Sequence, residues 1–130
     1  MKIVTPLSDV NHYIPLVEAG AGEFYCGITP LEWLKKYNMT IPINRREWLL
    51  SSCNISTYTS IKIISKMVQD YHVPVKITLN AHYYLQEQYS LLLEIIKKLM
   101  DIGIDTFIIA DMAFIMYLRE NDINCKIHLS

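Results

Sequence analysis

Val75-Lys76-Ile77-Thr78-Leu79-Asn80 alternates strictly, with Lys76, Thr78 and Asn80 on one face of an extended segment and Val75, Ile77 and Leu79 on the other. A strand of a doubly wound parallel sheet is buried on both faces and is apolar throughout. A barrel strand packs its outward face on helices, while its inward side chains near the carboxyl end line a site and can be polar. This stretch therefore predicts a barrel wall. Two other segments repeat the pattern: Lys126, His128 and Ser130 alternate with Ile127 and Leu129, and Glu23 and Tyr25 alternate with Phe24 and Cys26.

Working outward, strands are expected over residues 2–5, 23–26, 75–79, 106–110 and 126–130. Two junctions have the same build, Glu18-Ala19-Gly20-Ala21-Gly22-Glu23-Phe24 and Asp101-Ile102-Gly103-Ile104-Asp105-Thr106-Phe107. In each, a helix ends on a glycine that can turn left-handed and hands over to a strand. Helices are expected over 57–71, 86–102 and 113–121. The clearest is 86–102, where Leu92, Ile95, Ile96, Leu99 and Met100 form one apolar stripe. Pro15 lacks an amide hydrogen, so the first helix is expected to start near it, after a turn at 9–13. Residues 27–56 lose periodicity and read as a long ordered loop holding Trp33, Tyr37, Trp48, Leu49 and Leu50, with short helical turns at 31–37 and 47–50.

The order β-α-β-loop-α-β-α-β-α-β implies an α/β fold of parallel βα repeats with right-handed crossovers. A complete eight-unit barrel takes ~250 residues, so the 130 residues are expected to form a single incomplete β/α domain, about half of a TIM-type barrel. A complete flavodoxin-like domain is the competing architecture. It would require an apolar third strand, which Lys76 and Thr78 contradict.

With 52% apolar residues and a formal net charge of -1, the composition announces neither a nucleic-acid nor a membrane partner. The longest apolar runs fall far short of the roughly 20 residues of a membrane helix. No signal or transit peptide is evident, so a cytoplasmic location is the default. Cys26, Cys53 and Cys125 are widely spaced, which indicates neither a disulfide framework nor a metal site.

The candidate site lies where the strands end, and each of its residues also has a plainer role. Asn80 either contacts a ligand or caps a turn before Ala81-His82-Tyr83-Tyr84. Asp111 either faces the site or caps the helix after it. His128 is either a base or a hydrogen-bonded wall residue, and Tyr25 would line the same mouth. Lys76 and Glu23 suit a structural ion pair in the barrel floor, and Cys26 suits apolar packing. Arg45-Arg46 is the best anion-binding pair, because guanidinium groups grip carboxylate or phosphate in a fork, although two solvated loop charges would look the same.

A family likeness rests on Pro15-Leu16-Val17-Glu18-Ala19-Gly20-Ala21-Gly22-Glu23-Phe24-Tyr25-Cys26-Gly27, then Asn44-Arg45-Arg46, Thr78-Leu79-Asn80-Ala81, Ile108-Ile109-Ala110-Asp111 and Ile127-His128-Leu129-Ser130. Together and in order they resemble the N-terminal half of the peptidase U32 family, also labelled collagenase-like proteases. The resemblance implies a TIM-type barrel. It implies either a peptidase or an enzyme related to oxygen-independent hydroxylases of RNA bases or of a quinone precursor, which use an iron-sulfur cluster and, in the RNA-directed branch, prephenate. The cluster cysteines of that family generally follow the fifth strand, so no cofactor is expected in this chain itself. It is expected to be inactive alone and to pair with a missing C-terminal half. The alternative is a non-catalytic half-barrel that self-associates, or pairs with a partner chain, through its exposed sheet edges.

Overall fold

Five parallel strands lie side by side in the order in which the chain makes them. A computed structural model describes residues 1–38, 41–45 and 53–130. Strands β1 (Val4–Pro6), β2 (Glu23–Ile28), β4 (Val75–Leu79), β5 (Thr106–Ile109) and β6 (Lys126–Leu129) follow one another across the sheet. Every pairing is parallel. A flavodoxin-like sheet would place the first strand between the second and third. Sequential order is that of a barrel wall, so the structure is α/β with the arrangement of a partial βα barrel.

A two-residue strand that the alternation did not reveal, β3 (Asn54–Ile55), pairs Gly27 with Asn54 and Ile28 with Ile55. Gly27 is already paired with Thr78 on its other side. β3 therefore lies on the β1 side of β2, beyond the end of β1. The stretch expected as loop over 27–56 thus holds the end of β2, helix α2 (Leu31–Tyr37) and β3. The turn expected at 47–50, with Trp48, Leu49 and Leu50, lies outside the described residues.

The remaining helices are α1 (Tyr13–Glu18), α3 (Tyr58–Tyr71), α4 (Tyr89–Ile102) and α5 (Met112–Glu120). Helix α1 starts two residues earlier than Pro15 predicts. Pro15 sits in the first turn, where no amide hydrogen is needed, and a 3-10 turn at Val10–His12 leads into it. Gly20 and Gly103 both adopt left-handed φ, at 106° and 116°. Gly103 has a second constraint, since a Cβ there would come within 2.8 Å of Ser65 Oγ.

The burial pattern follows the alternation. Phe24, Cys26, Ile77, Leu79, Phe107 and Ile109 are fully buried against Ile64, Leu92, Ile96, Leu99, Phe114 and Leu118 of the helices. On the other face Tyr25 and Lys76 are half-buried and His128 is exposed. One face is thus core through β2, β4 and β5 and the other is polar, with two departures: Thr78 is buried and donates to the Cys26 carbonyl at 3.2 Å, and Leu129 at the sheet edge is 60% exposed. Among the described residues no helix is long and apolar enough to cross a membrane.

Candidate functional site

The carboxyl ends of the strands are bridged by Arg45. Its backbone amide donates to Asn80 Oδ1 at 3.2 Å, its Nε donates to the Asn80 carbonyl at 2.8 Å, and its guanidinium donates to Ser130 Oγ. Asn80 follows β4 and Ser130 follows β6, so one side chain ties two strand ends together. The segment 41–45 is itself fixed in three places. Trp33 Nε1 donates to the Ile41 carbonyl at 2.9 Å, the Tyr84 hydroxyl donates to the Ile43 carbonyl, and Asn44 Nδ2 donates to the Ile28 carbonyl at 3.3 Å. Two donors aimed at its carbonyls and one donor of its own give this short segment a defined position. Arg46 lies outside the described residues.

Below this lid a charged diagonal crosses the polar face. In register, Tyr25 is level with Lys76, while Glu23 lies two residues below it on β2. His128, level with Ile108, lies two residues above Lys126 on β6. Lys76 reaches both ways: its Nζ is 2.7 Å from Glu23 Oε1 and 3.0 Å from His128 Nδ1. Lys2 approaches the other Glu23 oxygen at 3.3 Å. The hydrogen bond from Lys76 is the largest influence on Glu23, and it outweighs partial burial to hold the carboxyl below the usual range, with Lys2 assisting. The ion pair expected at Lys76 and Glu23 forms, and it carries His128 with it.

Asp111 is 8% exposed and occupies both carboxylate oxygens with backbone amides. Oδ1 accepts from Ala113 at 2.9 Å and Phe114 at 3.1 Å, capping α5, and Oδ2 accepts from Tyr84 at 2.8 Å. Burial, and next the Asp111 charge, push the Tyr89 hydroxyl above its ordinary value. Since Tyr84 holds Ile43, Asp111 supports the segment 41–45 from behind.

Of the residues singled out in the sequence, Arg45 and Asn80 come together at the mouth. Tyr25 and His128 share the face beneath it, and Asp111 stands behind. A cleft of about 350 Å³ opens beside Arg45, between Ile41, Pro42 and Asn44 on one side and His82, Tyr83, Leu85 and Gln88 on the other. Gln88 is 2% exposed; its Oε1 accepts from the Leu85 amide at 2.9 Å, and its Nε2 has no partner among the described residues. Only the turn-like Ala81-His82-Tyr83-Tyr84 hints at this wall in the sequence.

The profile of peptidase family U32 matches residues 8–130. The chain belongs to this family. No curated protein matches its sequence.

The cysteines of this U32 domain are not disposed as a cluster site. Cys26 and Cys125 are buried in the core, and among the described residues no three His, Cys, Asp or Glu side chains gather in metal-binding reach. Burial pushes the Cys125 thiol up, against the opposing pull of Arg119, which is the reverse of what activates a thiolate nucleophile. What the U32 face offers is hydrogen-bond donors: the guanidinium of Arg45 and the ammonium of Lys76, with the imidazole of His128 beside them. Such a set recognises oxyanions and carbonyl oxygens.

Proposed function

We propose that this chain is the N-terminal part of a U32 barrel enzyme, supplying the wall that binds an anionic substrate or cosubstrate, and that it is inactive without a complementary C-terminal half. The reading rests on one observation, the docking of Arg45 onto Asn80 and Ser130, which holds a guanidinium over the strand ends where barrel chemistry sits. In this reading Arg45 and Arg46 hold the anion, Tyr25, Asn80 and His128 line the mouth, and Asp111 keeps the loops in place. The burial of Cys26 and Cys125 speaks against a thiol nucleophile, and the donor-rich face suits a hydroxylase-like or a peptidase-like enzyme equally. On the hydroxylase reading the substrate would be RNA or a quinone precursor, a separate part of the protein would carry any cluster, and the cytoplasm would be the site of action.

The test is co-expression with a C-terminal U32 half, assayed for hydroxylated RNA bases and for peptide cleavage. Arg45→Ala and Asn80→Ala should each lower the activity found by tenfold or more. Unchanged activity in both would remove these residues from the site.

A second reading, a non-catalytic half-barrel that pairs with a copy of itself, is favoured by the edges. Val4 on β1 is 51% exposed and Leu129 on β6 is 60% exposed, on edge strands that can recruit a neighbour. A monomer in sedimentation at micromolar concentration would reject it.

A further inference from the structure

Lys76 connects two groups that the sequence separates by more than fifty positions on each side, and the direction of its hydrogen bond to His128 carries chemical information. An ammonium group has three donors and no acceptor. Lys76 is paired with Glu23 at 2.7 Å, and an ammonium at 3.0 Å from His128 Nδ1 makes that contact by donating to an imidazole lone pair. The proton of neutral His128 must then sit on Nε2. Which ring nitrogen carries the proton is set by the bond the other one makes.

We infer that Glu23 and Lys76 are positioning residues that lock His128 as the Nε2–H tautomer, so that the imidazole meets the barrel interior as a hydrogen-bond donor to a carbonyl or carboxylate oxygen of the ligand. The inference rests on the proposed site at the strand ends, where Ser130, two residues beyond His128 on the same face, is held by Arg45. It assigns a donor role to a histidine that would otherwise be read as a base. Other charged groups surround the diagonal without replacing it. Lys2 approaches the far oxygen of Glu23, and Lys126 of the same strand as His128 is engaged at 2.9 Å by Asp105.

The experiment is nitrogen NMR of the full chain, labelled at histidine and held at about pH 8, above the ordinary imidazole range. His128 is assigned with His128→Gln, and His12, His72 and His82 serve as internal references. His128 should show a protonated Nε2 and an Nδ1 shifted as a hydrogen-bond acceptor. In Lys76→Met the Nδ1 signal should move to the position of an unbonded imine nitrogen, and Lys76→Arg should restore it. Glu23→Gln, which keeps Lys76 but removes its anchor, should move it part of the way and serves if Lys76→Met does not fold. A protonated Nδ1 in the parent chain, or an Nδ1 signal indifferent to both changes, would overturn the inference. Failure of the Arg45 and Asn80 assays would leave these spectra untouched, so the two ideas fail separately.

Discussion

Arg45 holds Asn80 by two different atoms, its amide on Oδ1 at 3.2 Å and its Nε on the main-chain carbonyl at 2.8 Å. Backbone and side chain are thus engaged at once, which fixes both the path of the segment and the direction of the guanidinium. Asn80→Ala removes the first bond and keeps the second. The Arg45 amide should then exchange with solvent faster, while global stability falls by less than about 1 kcal/mol, as befits an exposed contact. Arg45→Ala should lose substrate binding more severely at a similar small stability cost. A large loss of stability in either variant would make Arg45 a structural clamp.

The lowered carboxyl of Glu23 makes acid stability a second test. A carboxylate favoured by the fold contributes stability that is fully present above the ordinary glutamate range and disappears as pH falls through that range to the folded value. Glu23 and Lys76 have side chains 12% and 17% exposed, between the surface and buried extremes. Glu23→Gln should therefore cost about 1–2 kcal/mol in urea unfolding at neutral pH. The difference from the parent should shrink toward pH 3. A difference that is constant with pH would mean that the ion pair is not its source.

How far these features were legible depends on the range over which each is specified. The alternation around Lys76 and Thr78 is local, and the parallel strand wall agrees with it, although Thr78 itself is buried and β6 at the sheet edge is exposed on both faces. Gly103 and the cap at Asp111 are local too, because each is written within one turn of its own helix. β3 was missed since two residues cannot display a period of two. The contact of Lys76 with His128 needs the register of three strands, and the cleft beside Gln88 needs two loops to meet. Neither is a property of any single stretch of sequence.

Gly27 gives a third test, of packing at the strand ends. It sits at an inward position of β2, level with Thr78, and a Cβ there would lie 1.9 Å from Asn54 Oδ1 and 2.8 Å from Asn44 Nδ2. Both amides are buried, and they are linked to each other at 3.4 Å. Gly27→Ala should destabilise the chain by about 1–3 kcal/mol through overpacking. In an Asn54→Ala background the same change should cost clearly less, since the nearer of the two colliding atoms is gone and Asn44 is freed to shift. Equal costs in the two backgrounds would show that the crowding lies elsewhere.

Asp111 separates two supports that one carboxylate provides together. Its Oδ1 caps α5 through Ala113 and Phe114, and its Oδ2 holds the buried amide of Tyr84. Asp111→Ala removes both, and the loss of a cap plus one buried amide left unpaired amounts to about 2–4 kcal/mol. Asp111→Asn can keep its oxygen on the helix but then turns an NH2 group toward the Tyr84 amide, donor against donor. It should cost about 1–2 kcal/mol. Amide exchange distinguishes the two sides: in the Asn variant Tyr84 should exchange faster while Ala113 and Phe114 stay protected. Because the Tyr84 hydroxyl also holds the Ile43 carbonyl, the same variant should loosen the Arg45 amide. Faster exchange at Ala113 with Tyr84 unchanged would mean that the carboxylate serves the helix alone.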